Sequence, residues 1–220
     1  MRITRIENQK KHRNRKNIYA DEEFLVGLSD ETLIRSGIRV GDEISAERLK
    51  ALQRTEELVN AKRAALRFLS HRPRTAREVR DKLREKEFSD NDIAMTIDDL
   101  TRSGLLNDAE FARMYIRDAL ALHAVGQLLL KKKLLLFGIE RVTVDEALHA
   151  AFENENSEGA ALAAARKYMQ KSSSSRGNID KPKMRNRVAA FLGRRGYPWD
   201  VIQSVFKKLF AETDHTDNAE

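Results

Sequence analysis

Apolar residues recur along the chain in a register that appears three times. With Leu83, Leu134 and Leu192 aligned, Val79, Leu130 and Val188 stand four residues earlier, and Phe88, Ile139 and Tyr197 five residues later. Ten later come Ile93, Val144 and Ile202, fourteen later Ile97, Leu148 and Phe206, and seventeen later Leu100, Ala151 and Leu209. Every one of these is apolar or aromatic. Offsets of −4 and 0 define one face of a helix, the step to +5 crosses a turn, and +10, +14 and +17 define one face of the next helix. An apolar helical stretch precedes each pair, over 61–69, 111–122 and 160–169. The pattern predicts three-helix units with successive periods of 51 and 58 residues. The longer second period has a local cause in Ser172-Ser173-Ser174-Ser175-Arg176-Gly177-Asn178, which reads as a flexible linker between the first two helices of the third unit. One three-helix unit has a small core, so neighbouring units are expected to stack.

Ahead of the repeats the period changes to two. Arg2-Ile3-Thr4-Arg5-Ile6 alternates, and Asn17–Ala20, Asp21-Glu22 and Glu23–Leu28 read as strand, turn and strand. A hairpin or three-stranded sheet of this size is marginal alone and must pack on helices. Ser29 is placed to cap a short helix that Gly37 ends, and Ser45 to cap a long one whose Leu49, Leu52, Val59, Leu66 and Leu69 fall at helical spacings before Pro73 stops it. Thr75 with Glu78 and Asn107 with Glu110 have capping-box spacing, Ser89 with Asp92 has a weaker form, and Pro198 suits a helix start. The expected fold is mainly α, three tandem three-helix repeats behind a small N-terminal β-hairpin or sheet. The expected divisions are 1–58 for the hairpin and helical lead-in, 59–108, 109–157 and 158–211 for the repeats, and 212–220 for an acidic tail.

Composition agrees with helices. Charged residues make up 34% and aromatics 6%, with Pro at three positions, a mixture whose side chains lose little freedom in a helix. The chain has no Cys, which excludes disulfides and thiolate metal sites and fits a reducing compartment. No apolar run reaches a membrane-spanning length: the longest, 128–139, is broken by Lys131, Lys132 and Lys133. The formal net charge is +7, with +6 in residues 1–20 and −4 in 211–220. Such a balance with a basic arm points to a polyanionic partner, most often nucleic acid.

No catalytic constellation is visible. The five histidines make no metal-ligand pattern, and no Gly-rich phosphate loop, zinc-protease motif or serine-hydrolase elbow is present. The chain is expected to be no enzyme and to need no cofactor. The signal that remains is basic. Arg77, Arg80, Lys82, Arg84 and Lys86 lie on the second helix of the first unit, Lys131, Lys132 and Lys133 on that of the second, and Arg185, Arg187, Arg194 and Arg195 on that of the third. In register, Arg80 matches Lys131, Lys82 matches Lys133, and Lys86 matches Arg195. This predicts a surface stripe for a partner or DNA, against the plainer reading of a solvated face with pairs such as Glu78 to Lys82. Residues 8–16, with Lys10, Lys11, Arg13, Arg15 and Lys16, read as a solvated loop that adds non-specific nucleic-acid affinity. Trp199 is expected in the core rather than stacked on a base.

The stretch Arg63-Ala64-Ala65-Leu66-Arg67-Phe68-Leu69-Ser70-His71-Arg72-Pro73-Arg74-Thr75-Ala76-Arg77-Glu78-Val79-Arg80-Asp81-Lys82-Leu83 and its sequel Leu100-Thr101-Arg102-Ser103-Gly104-Leu105-Leu106-Asn107-Asp108-Ala109-Glu110-Phe111-Ala112 resemble the opening pattern of the RecX family of recombinase regulators. Gly126, Leu134 and Phe137-Gly138-Ile139 resemble its second repeat, and residues 21–28 with Gly41-Asp42-Glu43-Ile44 its amino-terminal part. The family departs from this chain at Leu128, Leu129 and Leu130, where it carries more Arg, and at the Ser-rich insert. The resemblance implies a non-catalytic, cytoplasmic protein that binds the RecA recombinase filament on DNA and modulates it, usually by inhibition; the chain is expected to be monomeric. Weak, non-specific contacts to single- and double-stranded DNA and no membrane association go with that reading. A winged helix-turn-helix transcription regulator is the alternative for 75–106, and it leaves the threefold recurrence unexplained.

Overall fold

Strand alternation at the amino terminus becomes a sheet with one buried face. The computed structural model describes residues 1–10, 14–153, 155–176 and 180–211; the acidic tail, Gly177 and Asn178 lie outside them. Strands β1 (Ile3–Asn8), β2 (Arg15–Ala20) and β3 (Glu23–Ser29) pair antiparallel in the order β1-β2-β3. Asp21 and Glu22 both take positive φ, 50° and 70°, the left-handed pair that a two-residue hairpin turn needs to follow strand twist. Ile3, Ile18, Val26 and Leu28 point inward onto Ile38, Ile44 and Leu52. The last of these sits on α2 (Ala46–Leu69), which follows the short α1 (Asp30–Ser36). Both helices start as expected: Ser29 accepts from Thr32 N–H and Ser45 from Arg48 N–H, and Gly37 closes α1 at φ 66°.

A buried ion pair ties sheet to helix. Glu56 of α2 is 4% exposed. Its Oε2 accepts from Ser29 N at 2.9 Å and Ser29 Oγ at 2.8 Å, and Arg15 Nη1 meets Oε1 at 2.8 Å. Arg15 also donates to Asn60 Oδ1 and to the Gly27 carbonyl. Burial pushes the Glu56 carboxyl up, but the Ser29 and Thr32 hydrogen bonds and the Arg15 charge outweigh it, and the group titrates below the ordinary glutamate range.

The contacts divide the chain into two compact units, 1–73 with 79–106 and 74–78 with 107–220. In the first, α4 (Asp90–Arg102) packs on α2, and α3 (Ala76–Glu85) contributes its later turns. The second holds α5 (Asp108–Leu122), α6 (Gln127–Leu136) and α7 (Arg141–Phe152) around one core, and α8 (Ser157–Arg176), α9 (Lys181–Arg194) and α10 (Trp199–Ala211) around another. The three-helix repeat is the architecture. Leu83, Leu134 and Leu192 are each fully buried, and the aligned positions are buried throughout except Phe88, Ala151 and Leu209, which are half-buried.

The fold bears on the sequence reading at several points. Helix α2 runs unbroken for 24 residues, as the spacing from Ser45 to Pro73 predicted, and the expected division at 58/59 falls inside it. Its buried face uses Ala61 and Ala65, whose small side chains permit close packing, while Leu66 is exposed. The serines do not begin a linker: α8 runs through them to Arg176. Glu78 does not pair with Lys82; it completes the capping box, accepting from Thr75 N at 3.1 Å while Thr75 Oγ1 accepts from Glu78 N at 3.2 Å. Trp199 is 60% exposed, not in the core.

Truncating Leu83, Leu134 or Leu192 to Ala should each cost ~2–5 kcal/mol in chemical denaturation, the range for buried leucines whose surroundings relax only partly. Equal buried positions predict similar losses at all three.

Glu56→Gln should cost toward the low end of ~3–5 kcal/mol at neutral pH, because it leaves Arg15 without its anion while a quarter of Arg15 still reaches water. The folded-state carboxyl is depressed, so its contribution is present at neutral pH and is lost as pH falls through the folded-state value. Denaturation midpoints across acid pH should therefore fall less steeply in the Gln variant than in the parent.

Candidate basic interface on the second helices

The second helices of the repeats differ in how their cations are held. On α3, Lys82 Nζ meets both Glu85 carboxylate oxygens at 2.8 Å, and Arg84 makes a forked contact to Asp90 Oδ1 at 3.0 and 3.1 Å. The Lys82 hydrogen bond holds the Glu85 carboxyl below its ordinary range, with Lys86 adding charge from the next turn. Arg80 makes no ion pair among the described residues; it is half-buried in a shallow cleft with Arg84, Asp90, Ile93 and Asp98.

On α6, Leu130 and Leu134 enter the core while Leu128, Leu135 and Leu136 remain exposed. A run of leucines on both faces of a helix hides its period, which is why the sequence pattern there is the least readable. Lys131 reaches across to Asp145 of α7 at 2.5 Å and pulls that carboxyl below the ordinary aspartate range. Lys132 and Lys133 are exposed and make no ion pair among the described residues. On α9, Arg194 is likewise exposed and unpaired among them. Arg185 lies over the Phe206 ring at 5.0 Å, and Arg187 is half-buried.

Arg195 is held differently. Its guanidinium stacks on Phe191 at 4.7 Å and donates to the Ala124 carbonyl at 2.7 Å. It belongs to a joint between the second and third repeats. There Gly126 N donates to the Arg195 carbonyl at 2.8 Å and Leu128 N to the Gly196 carbonyl at 2.9 Å. Gly126 is the N-cap of α6 and has no side chain to satisfy the first N–H groups of that helix, so the neighbouring turn supplies acceptors. A Cβ on Gly126 would strike the Gly196 carbonyl, and one on Gly196, at φ 81°, would strike the Leu129 backbone. The equivalent contacts recur one repeat earlier. Thr75 stands where Gly126 does and donates its hydroxyl to the Phe137 carbonyl at 2.9 Å, and a Cβ on Gly138 would strike the Arg77 side chain. Arg77 is thus packed along its stem, with its surface exposed.

The register-matched cations therefore do not share environments. Among the described residues Arg80 is in no ion pair and Lys131 is paired, Lys82 is paired and Lys133 is not, and Lys86 is exposed while Arg195 is held in the joint. In the amino-terminal segment, Arg15 and Lys16 belong to β2 rather than to a loop. Arg15 is bound to Glu56, and Lys16 contacts Asn8 and Asp30. Lys10 is exposed, and Lys11 and Arg13 lie outside the described residues. The sequence reading missed that Trp199 faces solvent, although its own register carried the signal. Position +7 is Asp90 and Arg141 in the other repeats, both exposed. Among the described residues no group of His, Asp and Glu is arranged to hold a metal, and no helix is long and apolar enough to cross a membrane.

Three segments match models of known domains: 1–45 the regulatory protein RecX N-terminal domain, 61–100 the first RecX three-helix domain, and 157–206 the third. The chain is 33% identical over 209 residues to the regulatory protein RecX of Clostridium perfringens strain 13, covering 94% of this chain and 96% of that one. It is 31% identical over 207 residues to that of Clostridioides difficile strain 630, covering 94% and 95%. A crystal structure of regulatory protein RecX superimposes with TM-score 0.77 at 22% identity over 93% of this chain and 98% of that one. That of RecX from Lactobacillus salivarius gives 0.64 at 24% identity over 71% and 99%.

Gly126→Ala and Gly196→Ala should each destabilise the fold by at least the ~1–3 kcal/mol of an overpacked contact, and Gly196→Ala by ~1–2 kcal/mol more for its left-handed backbone. Gly193→Ala, with open space where the Cβ would go, should instead be neutral or stabilising by up to about 1 kcal/mol. Thermal melts of the three variants side by side check the joint.

Proposed function

The chain belongs to the RecX family of regulatory proteins, and on that premise we propose that it binds a RecA-type recombinase filament on DNA and inhibits its recombinase and ATPase activities. It acts by binding rather than by catalysis, as a cytoplasmic monomer, with weak non-specific contacts to single- and double-stranded DNA. The observation that carries the reading is the set of exposed or half-exposed cations that make no ion pair among the described residues: Arg80 on α3, Lys132 and Lys133 on α6, and Arg194 on α9. Each sits on the second helix of a repeat. An unpaired cation keeps its full field toward a polyanion, whereas Lys82, Arg84 and Lys131 are already balanced by acids and Arg195 is engaged in the joint. A filament with its DNA is a long, repetitive, negatively charged target, and a repeat protein presents similar helices more than once along its length.

Reversing Arg80, Lys132, Lys133 and Arg194 together to Glu should weaken inhibition of recombinase ATPase and strand exchange by on the order of 10- to 1000-fold at low salt, the span over which focused charge alters association rates. Circular dichroism and the melting temperature should stay near the parent values, since exposed substitutions usually move stability by no more than about 0.5 kcal/mol each. A folded variant that inhibits as well as the parent would remove these helices from the working surface. A parent chain that leaves the recombinase untouched would remove the proposed activity itself.

A further inference from the structure

The chain has a single tryptophan, and Trp199 is 60% exposed at the start of α10. An isolated exposed apolar residue needs no explanation, but the setting of this one is specific. Its indole stands edge-to-face with Phe206, with centroids 6.5 Å apart and planes at 88°. Phe206 is 5% exposed and also carries the Arg185 guanidinium at 5.0 Å from its centroid. The buried ring is therefore contacted by both an exposed indole and an exposed arginine. Helix α9 bears five basic residues, Lys181, Lys183, Arg185, Arg187 and Arg194, and no acid, and α10 bears one acid, Asp200.

Two classes of partner take an exposed indole. A protein anchor pocket needs the indole to be the centre of a wider apolar patch. Here Trp199 is the only exposed large apolar side chain among the described residues of α8, α9 and α10. A nucleobase needs one aromatic face with cations beside it for the flanking phosphates, and that is what α9 and α10 present. A duplex does not fit, because its bases are already stacked and opening a step costs about a few kcal/mol.

We infer that Trp199 and Arg185 form a stacking site for an unpaired base of single-stranded nucleic acid, with the indole against the base and the guanidinium toward the adjoining phosphate. Asp200, the next residue of α10 and also exposed, disfavours phosphate at the start of that helix. The inference deepens the reading above by naming a contact to single-stranded DNA in the third repeat, and rests on it only for the source of the strand.

The single tryptophan is its own reporter. The full-length chain is titrated, with no recombinase present, with a thymidine oligonucleotide, an abasic strand of equal length and a duplex, while Trp199 emission is followed. Emission should be quenched by the thymidine strand and left largely unchanged by the other two. In parallel, anisotropy of a labelled thymidine strand measures affinity for Trp199→Ala, Trp199→Phe and Arg185→Gln. Trp199→Ala should bind about 5- to 100-fold more weakly, the loss expected for one stacked base, with an unchanged salt slope. Trp199→Phe should recover part of the loss, and Arg185→Gln should lower the salt slope by close to one phosphate contact, roughly 0.7 for a single strand. Equal quenching by the abasic strand, or a folded Trp199→Ala variant with the parent's affinity, overturns the stacking site. Emission that ignores the oligonucleotides and shifts only when the recombinase is added alone also overturns it and makes Trp199 a protein contact. Each of these failures leaves inhibition of the filament by the parent chain standing or falling on its own assay.

Discussion

One backbone residue in each repeat must turn left-handed after the second helix. Glu87, Gly138 and Gly196 stand at the same register position, with φ 63°, 81° and 81°. This conformation stops the helix, reverses the chain and sends Phe88, Ile139 and Tyr197 inward in time to start the third helix on the correct face. At Gly138 and Gly196 a second demand is added, because residues from the preceding repeat lie against the glycine where a Cβ would be. A glycine serves both demands; any other residue meets the first only with strain and fails the second. Glu87, at φ 63°, takes the left-handed conformation with an exposed side chain.

The joint also explains how the termini of α3 and α6 are satisfied. Thr75 caps its own helix through the reciprocal pair with Glu78, and its hydroxyl still reaches the Phe137 carbonyl. Gly126 has no side chain, and the N–H groups at the start of α6 turn instead to the carbonyls of Arg195 and Gly196. The two solutions differ chemically and occupy the same place in the repeat. Residues drawn into the joint are removed from the surface: Arg195 is basic by composition but acts as a packing and hydrogen-bonding group. The same holds in the amino-terminal part for Arg15, whose charge closes the sheet onto α2 through Glu56 rather than extending a basic arm.

What remains outside is a surface sorted by pairing. Some second-helix cations face acids of the same or the following helix, and their fields largely cancel at a distance. Others make no ion pair among the described residues. The third repeat adds an aromatic to this mixture, at the register position where its sister repeats carry Asp90 and Arg141. Cations and one exposed indole are the chemistry by which protein surfaces meet phosphates and bases.

Fold class, the number of repeats, the buried positions from Val79 to Phe206 and most helix caps were legible in the sequence, because each depends on spacing along one chain and the helical and strand periods translate spacing directly into faces. The strands and the turn at Asp21-Glu22 were legible for the same reason. What the tertiary structure decided was everything that depends on a neighbour distant in sequence. Glu56 reads as one more acid on a helix until Arg15 and Ser29 are brought to it. Arg195 reads as a surface cation until the Ala124 carbonyl meets it. Lys82 and Lys131 look like members of one stripe with Arg80 and Lys133, and only the positions of Glu85 and Asp145 separate them. Trp199 looked like core because large aromatics usually are, but its place on α10 turns it away from Phe206's buried side. Periodicity states which side of its own helix a residue occupies. Whether a charge there is free, paired or buried is set by the distance to a partner, and that distance exists only once the chain is folded.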